Sequence, residues 1–202
     1  MKVVRPTPQG IESAANAIRD GRVVVYPTEN MYGLGADPFN ERAVRGLFDI
    51  KRRPPANPVL VVVSDETQLD TLVEGVSDVA KACMDEFWPG PLSLLLPGKV
   101  TLPGILTAGR SKVCVRCPGN ATARELCRTV GHAVTSTSAN IAGAPPACSI
   151  SELDLPGLAI AIDGGNIEPG PPSTIYDPDT GKAYREGVVR RERLQSGGFV
   201  VR

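Results

Sequence analysis

The chain has 202 residues, a length that fits one domain and can bury a substantial core. Lysine plus arginine and aspartate plus glutamate number 22 each, so no net field draws the chain to nucleic acid or an anionic membrane, and aromatics at 4% leave little for a base-stacking platform. Apolar runs such as 59–63 and 92–96 are too short to span a bilayer, and the opening MKVVRPTPQG has no hydrophobic signal core, so the expected location is cytoplasmic.

Thr7 followed by Pro8 predicts a helix start, with Ile11, Ala14, Ala15 and Ile18 on one face and Gly21 as the stop. A strand over 23–26 follows. It leads into the run YPTENMYGLGADPFN (26–40), read as a loop with a proline, a hydroxyl, a carboxylate, an amide and glycines, suited to holding a small polar ligand. Asn40 caps a second helix with Ala43, Val44, Leu47 and Phe48 inward, which delivers Lys51 and Arg53 at its end. A strand over 59–63 comes next, and Ser64 is expected to cap a short helix after it. Ser77 caps another helix with Val79, Ala80, Cys83, Met84 and Phe87 as its buried stripe, ended by Trp88-Pro89-Gly90-Pro91 before a strand over 92–96.

In the second half, 113–116 reads as a strand, and Asn120 caps a helix carrying Ala123, Leu126, Cys127 and Val130 inward. Strands over 133–136 and 158–162 lead to Ser138-Ala139-Asn140 and to Asp163-Gly164-Gly165. Segments 174–177 and 182–185 read as a hairpin closed by Pro178-Asp179-Thr180-Gly181. No repeat and no long linker divides the chain, so 1–202 is taken as a single domain. Strands alternating with helices predict an α/β fold of the α+β type, with helices covering an open, twisted, mixed parallel and antiparallel sheet.

Cys114 and Cys117 have CxxC spacing, but in a strand residues three apart point to opposite faces, and no second pair completes a tetrahedral metal site. Cys83 and Cys127 fall on apolar helix faces and read as core. His132, with no evident carboxylate partner, reads as structural.

Two clusters can carry chemistry. Lys51, Arg52 and Arg53 precede Pro54, Pro55, Asn57 and Pro58. They form either a solvated basic turn or a polyphosphate clamp in which arginine binds bidentately, lysine is a mobile point charge and the prolines keep the turn rigid. Ser138 and Asn140 follow a strand end and can either cap the helix or turn that follows or bind phosphate oxygens or metal-bound water. Arg116 stands in an otherwise apolar strand, where an unpaired guanidinium is costly. An internal salt bridge and a bound substrate carboxylate are its two readings.

Taken together, Pro27-Thr28-Glu29-Asn30 with Tyr32-Gly33-Leu34, Lys51 with Arg53, and Ser138 with Asn140 resemble the YrdC family, whose signature is PTET-x-YGL, KxR and SxN. Trp88 to Ser93, Val115 to Pro118, Ser173-Thr174 and Arg185-Glu186-Gly187 extend the likeness over about residues 11–189. The resemblance implies an open sheet around a concave cleft. It also implies synthesis of threonylcarbamoyl-adenylate from L-threonine, bicarbonate or carbon dioxide, and ATP, with release of pyrophosphate. Mg²⁺ would accompany ATP, and the product would serve threonylcarbamoyl modification of a tRNA adenosine through a downstream transferase.

On the same resemblance, Lys51, Arg53, Asn57, Ser138, Asn140 and Arg185 are assigned to ATP, with Lys51 and Arg53 neutralising charge in the reaction. Thr28, Asn30, Arg116 and Ser173 are assigned to threonine. No general base is evident. The chain departs from the family at Asn30, where threonine is usual, and at Val62, where many members have histidine. Two alternatives stand beside the synthase: a YciO-like member, a branch described as lacking KxR and SxN, and a non-catalytic module of translation that binds tRNA or double-stranded RNA.

Overall fold

Thr7 caps helix α1 (Pro8–Arg19) as expected. Its hydroxyl accepts from the Gly10 N–H at 3.2 Å, and Pro8 occupies the first helical position, where its missing N–H is no loss. Gly21 turns the chain at φ 75°, in the left-handed region that glycine enters without penalty. The computed structural model describes residues 1–54 and 56–202. Pro55, one of the prolines expected to stiffen the basic turn, lies outside the described residues.

The strands are β1 (Lys2–Val4), β2 (Val24–Pro27), β3 (Tyr32–Gly35), β4 (Leu60–Val62), β5 (Leu92–Pro97), β6 (Lys112–Arg116), β7 (Val134–Ser138), β8 (Ile160–Ile162), β9 (Thr174–Asp177) and β10 (Lys182–Arg185). They form one sheet in the order β1-β8-β2-β3-β7-β4-β6-β5-β9-β10. The pairs β1/β8, β2/β8, β4/β6 and β5/β9 are parallel and the rest antiparallel, so the sheet is mixed. The remaining helices are α2 (Glu41–Lys51), α3 (Asp78–Phe87), α4 (Gly104–Thr107), α5 (Ala121–Val130) and α6 (Arg191–Ser196).

Alternation along the strands sends side chains to two cores. On one face Val24, Tyr26, Val62, Val134 and Ile162 pack under Ile11 and Ile18 of α1 and Leu126 and Val130 of α5. On the other, Val25, Leu34, Val61, Leu94 and Val115 pack against Leu47 and Phe48 of α2 and Met84 of α3. No helix among the described residues is long and apolar enough to cross a membrane.

Several expectations are corrected. The run 26–40 is not a loop throughout: Tyr32–Gly35 is a strand paired antiparallel to β2. Tyr32 and Leu34 are buried there, while Gly33 and Gly35 leave room for the Tyr26 ring on the facing side. A Cβ on Gly35 would stand 2.9 Å from both Tyr26 and Val134. Asp65, not Ser64, caps the segment after β4, accepting from the Thr67 N–H at 3.0 Å, and that segment is a 3-10 turn over Glu66–Thr71. Val79 is 45% exposed, being rotated about 100° from the buried Ala80 around α3. The short elements β1, α4 and α6 were not anticipated.

Candidate active site

Helices α1 and α5 cover only part of their face of the sheet. Residues along the strands, among them Leu95, Cys114, Ser136 and Ile175, line with the neighbouring loops an open cleft of about 860 Å³, within the usual range for small-molecule sites. Its wall comes from the β2–β3 turn, the segment after α2, Cys114 and Arg116 on β6, Ser136 and Ser138 on β7, the 168–173 strap, and Arg185 on β10. Arg53, Arg110, Arg116 and Arg185 outnumber Glu29 and Glu168 on its wall, so a chain of zero net charge has a positive cleft. Such a lining favours anionic ligands, because a concave low-dielectric wall focuses the field of its charges.

The KxR turn divides its two cations. Arg52 ends α2 in the left-handed conformation at φ 49°, and the chain reverses there. Lys51 remains on the buried side and Arg53 turns to the cleft. Lys51 is 3% exposed. Its ammonium donates to Ser138 O at 2.5 Å, Asn140 O at 3.1 Å and Asn140 Oδ1 at 2.8 Å. It is thus a fixed tie between two segments and not the mobile point charge read from the sequence. Burial, and after it the neighbouring Arg53 charge, lowers its pKa to about 8. Arg53 lies over the Phe48 ring at 5.8 Å, half-buried, with its guanidinium on the cleft wall.

The Ser138 hydroxyl donates to Asn140 Oδ1 at 2.6 Å, and the Asn140 amide donates to Ala144 O. Ser138 lines the cleft, while Asn140 shapes the loop behind it. Asn57, exposed, lines the same side as Arg53. Arg185 folds back as the hairpin reading expected: its Nε donates to Ser173 O at 3.0 Å and its Nη2 to Ser173 Oγ at 3.1 Å. Ser173 Oγ also lies 2.9 Å from the hydroxyl of buried Ser93.

Arg116 is buried and its Nη1 lies 3.2 Å from Glu29 Oε2. Both sequence readings of Arg116 therefore find an anchor: the internal salt bridge exists, and the Nε has no partner although it is shielded from solvent. The Thr28 hydroxyl donates to Met31 O at 2.6 Å and closes the β2–β3 turn. The Asn30 amide donates to Gly170 O at 3.1 Å and to Pro171 O, tying that turn to the strap. Val62 points to the α1/α5 core and is absent from the cleft wall, so the departure at this position falls away from the site.

The cleft therefore gathers Arg53, Asn57 and Ser138 with Arg185, Ser173, Thr28, Asn30 and Arg116, and places Lys51 and Asn140 behind it. Glu29, Arg110 and Ser136 also line it and were not singled out in the sequence. The signal for Glu29 was there: a buried arginine demands a carboxylate, and Glu29 sits between two residues already assigned. Cys114 opens to the cleft whereas Cys117 packs in the opposite core, as their spacing in a strand requires. Burial pushes the Cys114 thiol up to about 12, so it stays neutral and is a poor nucleophile. His132 stacks edge-on to Phe39 with centroids 5.4 Å apart, and its Nδ1 lies 2.8 Å from Ala133 O, a structural role.

A family model that joins Sua5, YciO and YrdC under the description "Telomere recombination" matches residues 16–190. The chain belongs to the Sua5/YciO/YrdC family. Among relatives, this family member is 38% identical over 175 residues to a Methylococcus capsulatus protein named threonylcarbamoyl-AMP synthase, covering 85% of this chain and 94% of that one. It is 37% identical over 170 residues to the Pyrococcus abyssi protein of the same name, covering 83% of this chain but only 50% of the relative. The chain thus spans about half the length of that relative.

The crystal structure of P. abyssi Sua5 complexed with L-threonine superposes with a TM-score of 0.91 at 32% identity, covering 100% of this chain and 61% of the other. Escherichia coli YciO superposes at 0.79 with 27% identity, covering 93% and 95%. The open mixed sheet is therefore common to both branches of the Sua5/YciO/YrdC family and does not by itself choose between them.

Proposed function

We propose that the protein is a threonylcarbamoyl-AMP synthase, joining L-threonine, bicarbonate and ATP to give threonylcarbamoyl-adenylate and pyrophosphate. The observation that carries this reading is the Lys51 tie. It holds the KxR turn and the SxN loop together on the rim of a positive cleft, beside Arg53 and Ser138. Relatives named for this activity, one of them matched over 94% of its length, support it. The YciO-like alternative is described as lacking KxR and SxN, and both are present here and joined. The RNA-binding alternative finds positive charge in the cleft, yet Tyr184 is the only aromatic on its wall among the described residues, too little for base stacking.

In this reading Arg53, Arg185, Ser138 and Asn57 hold the triphosphate, while Arg116 takes the threonine carboxylate with Thr28, Asn30 and Ser173 around it. The threonine amine becomes a carbamate, and a carbamate oxygen attacks the α-phosphorus as pyrophosphate leaves. Arg53 and Arg185 stabilise the charge on the phosphoryl oxygens; Lys51 fixes the turn that carries Arg53, and Ser173 holds Arg185. No covalent enzyme intermediate is required.

Mg²⁺ fits as a companion of ATP. Among the described residues no group of His, Cys, Asp and Glu forms a metal cage, and this ion is commonly held by substrate phosphates with its own water. When bound it supplies further neutralisation of phosphate charge. The adenylate is a mixed anhydride open to hydrolysis, so a second enzyme that transfers its acyl group to a tRNA adenosine is the proposed partner. The test is pyrophosphate release from ATP with threonine, bicarbonate, both or neither. Release only with both supports the synthase, and equal rates with either omitted rule it out.

A further inference from the structure

Arg116 and Glu29 both open to the cleft, with 3.2 Å between Arg116 Nη1 and Glu29 Oε2. The Glu29 side chain is fixed from its other oxygen, since Oε1 accepts the Gly119 N–H, yet remains 31% exposed. Arg116 is fixed too. Its side chain is only 8% exposed, and its Nε lacks a partner. Two rigid opposite charges facing one space are the complement of an α-amino acid zwitterion, whose ammonium nitrogen and carboxyl carbon are about 2.5 Å apart. A carboxylate set against the Arg116 guanidinium on the cleft wall leaves the ammonium next to it within reach of Glu29.

We infer that Glu29 holds the α-ammonium of the amino acid whose carboxylate Arg116 binds, and receives a proton from it as the amine becomes a nucleophile. This role rests on the synthase reading of the same cleft and fills the place of the general base. The threonine nitrogen attacks the bicarbonate carbon, so that an N–C bond forms and one C–O bond breaks. The nitrogen sheds two protons. One leaves with the departing oxygen as water, and the other passes through the Glu29 carboxylate to solvent. The sum is R–NH₃⁺ and HCO₃⁻ giving R–NH–COO⁻, H₂O and H⁺. Glu168, the other carboxylate on the wall, stands on the strap and is not paired with Arg116.

The test is titration calorimetry with ATP present and bicarbonate excluded, which prevents turnover. Threonine is compared with 2,3-dihydroxybutanoate, the same molecule with a hydroxyl in place of the amino group. The wild-type protein is expected to prefer threonine by roughly tenfold or more, the size of one charged hydrogen bond. Glu29→Gln, which keeps an acceptor for Gly119, is expected to cut that preference to about threefold or less with ATP affinity unchanged, while Glu168→Gln leaves the ratio as it was. An undiminished preference in Glu29→Gln overturns the assignment. Equal wild-type affinity for the two ligands does the same even if the glutamine variant fails to fold. Absence of threonine binding together with threonine-independent pyrophosphate release sinks the synthase reading itself, an outcome distinct from either.

Discussion

Lys51 and Asn140 stand 89 residues apart in sequence, and the ammonium of one lies 2.8 Å from the side-chain oxygen of the other. Two short motifs that look independent in the sequence are one object in space. The lysine is the bolt and the arginine two residues on is the working surface, which separates what their substitutions do.

Lys51→Met should cost stability. It leaves Asn140 O without a donor, at about 1–3 kcal/mol if that acceptor stays dry, while Ser138 O keeps only the Asn140 N–H. Arg53→Ala should leave the urea midpoint nearly unchanged while weakening ATP binding by about 1.5–3 kcal/mol. Urea unfolding and ATP titration of both variants check this. A fully stable Lys51→Met protein, or unchanged ATP affinity in Arg53→Ala, would contradict the division of labour.

The pH dependence of stability follows from the same lysine. Burial lowers its folded pKa to about 8 from the ordinary 10.5, so between these values the unfolded chain binds more protons than the folded one. Stability relative to Lys51→Met should therefore rise with pH across that window, as the cost of a buried charge is relieved, and be flat below it. Unfolding curves of the pair at pH 7, 9 and 10.5 measure the difference. A fall across the window would mean that the ion-dipole bonds to Ser138 and Asn140 outweigh burial.

Arg116→Lys keeps a charge but loses the planar fork. Threonine affinity should fall by about 1.5–3 kcal/mol while ATP affinity changes little, because the ammonium cannot serve Glu29 and a carboxylate with the same geometry. Calorimetric titration of threonine into both proteins decides it. Equal affinities would return Arg116 to a purely structural pairing with Glu29.

The strand hidden in the glycine-rich run makes a separate prediction. Gly35→Ala sets a methyl 2.9 Å from Tyr26 and Val134, so packing around β3 must shift. Destabilisation of about 1–3 kcal/mol is expected from overpacking of this kind. A thermal or urea midpoint equal to wild type would show that the Tyr26 ring gives way freely.

Asn30 ties the turn between β2 and β3 to the strap through Gly170 and Pro171. Asn30→Ala should speed amide exchange of the N–H groups around residues 168–173 and raise the threonine requirement, with little change in global stability. Hydrogen-exchange mass spectrometry reads the first effect. Unchanged exchange there would show that the strap is held by Ser173 and Arg185 alone.

Much of this was legible because it is local. Thr7, Asn40, Ser77 and Asn120 cap the helices they were expected to cap, and the hairpin of β9 and β10 has its predicted bounds, since caps and tight turns depend on a few neighbouring residues. Strand β3 was missed because glycine lowers strand propensity, and what makes it a strand is the Tyr26 ring filling the space that Gly33 and Gly35 leave, a tertiary fact. The candidate site follows the same division. Arg116 was conspicuous as a charge in an apolar strand, but its partner Glu29 is 87 positions away (116 − 29), and only the fold brings the two together. The opposite orientations of Lys51 and Arg53 hang on one backbone torsion at Arg52, to which no composition or periodicity points.

The order of strands also sets a timetable for synthesis on the ribosome. Val24 in β2 pairs with Ile160 in β8, so 136 residues (160 − 24) must be added before that side of β2 finds its neighbour. At about 5–20 residues per second this takes on the order of 7–27 seconds. During that interval β2 and β3 can form their hairpin, but the open edge of β2 presents unpaired backbone groups of an apolar strand, the kind of surface that recruits other nascent chains or chaperones. The opposing walls of the cleft, from Thr28 on one side and Arg185 on the other, meet only when nearly the whole chain has emerged. Ligand binding therefore becomes possible late in translation, and a chain stalled before β8 has a charged turn and no pocket.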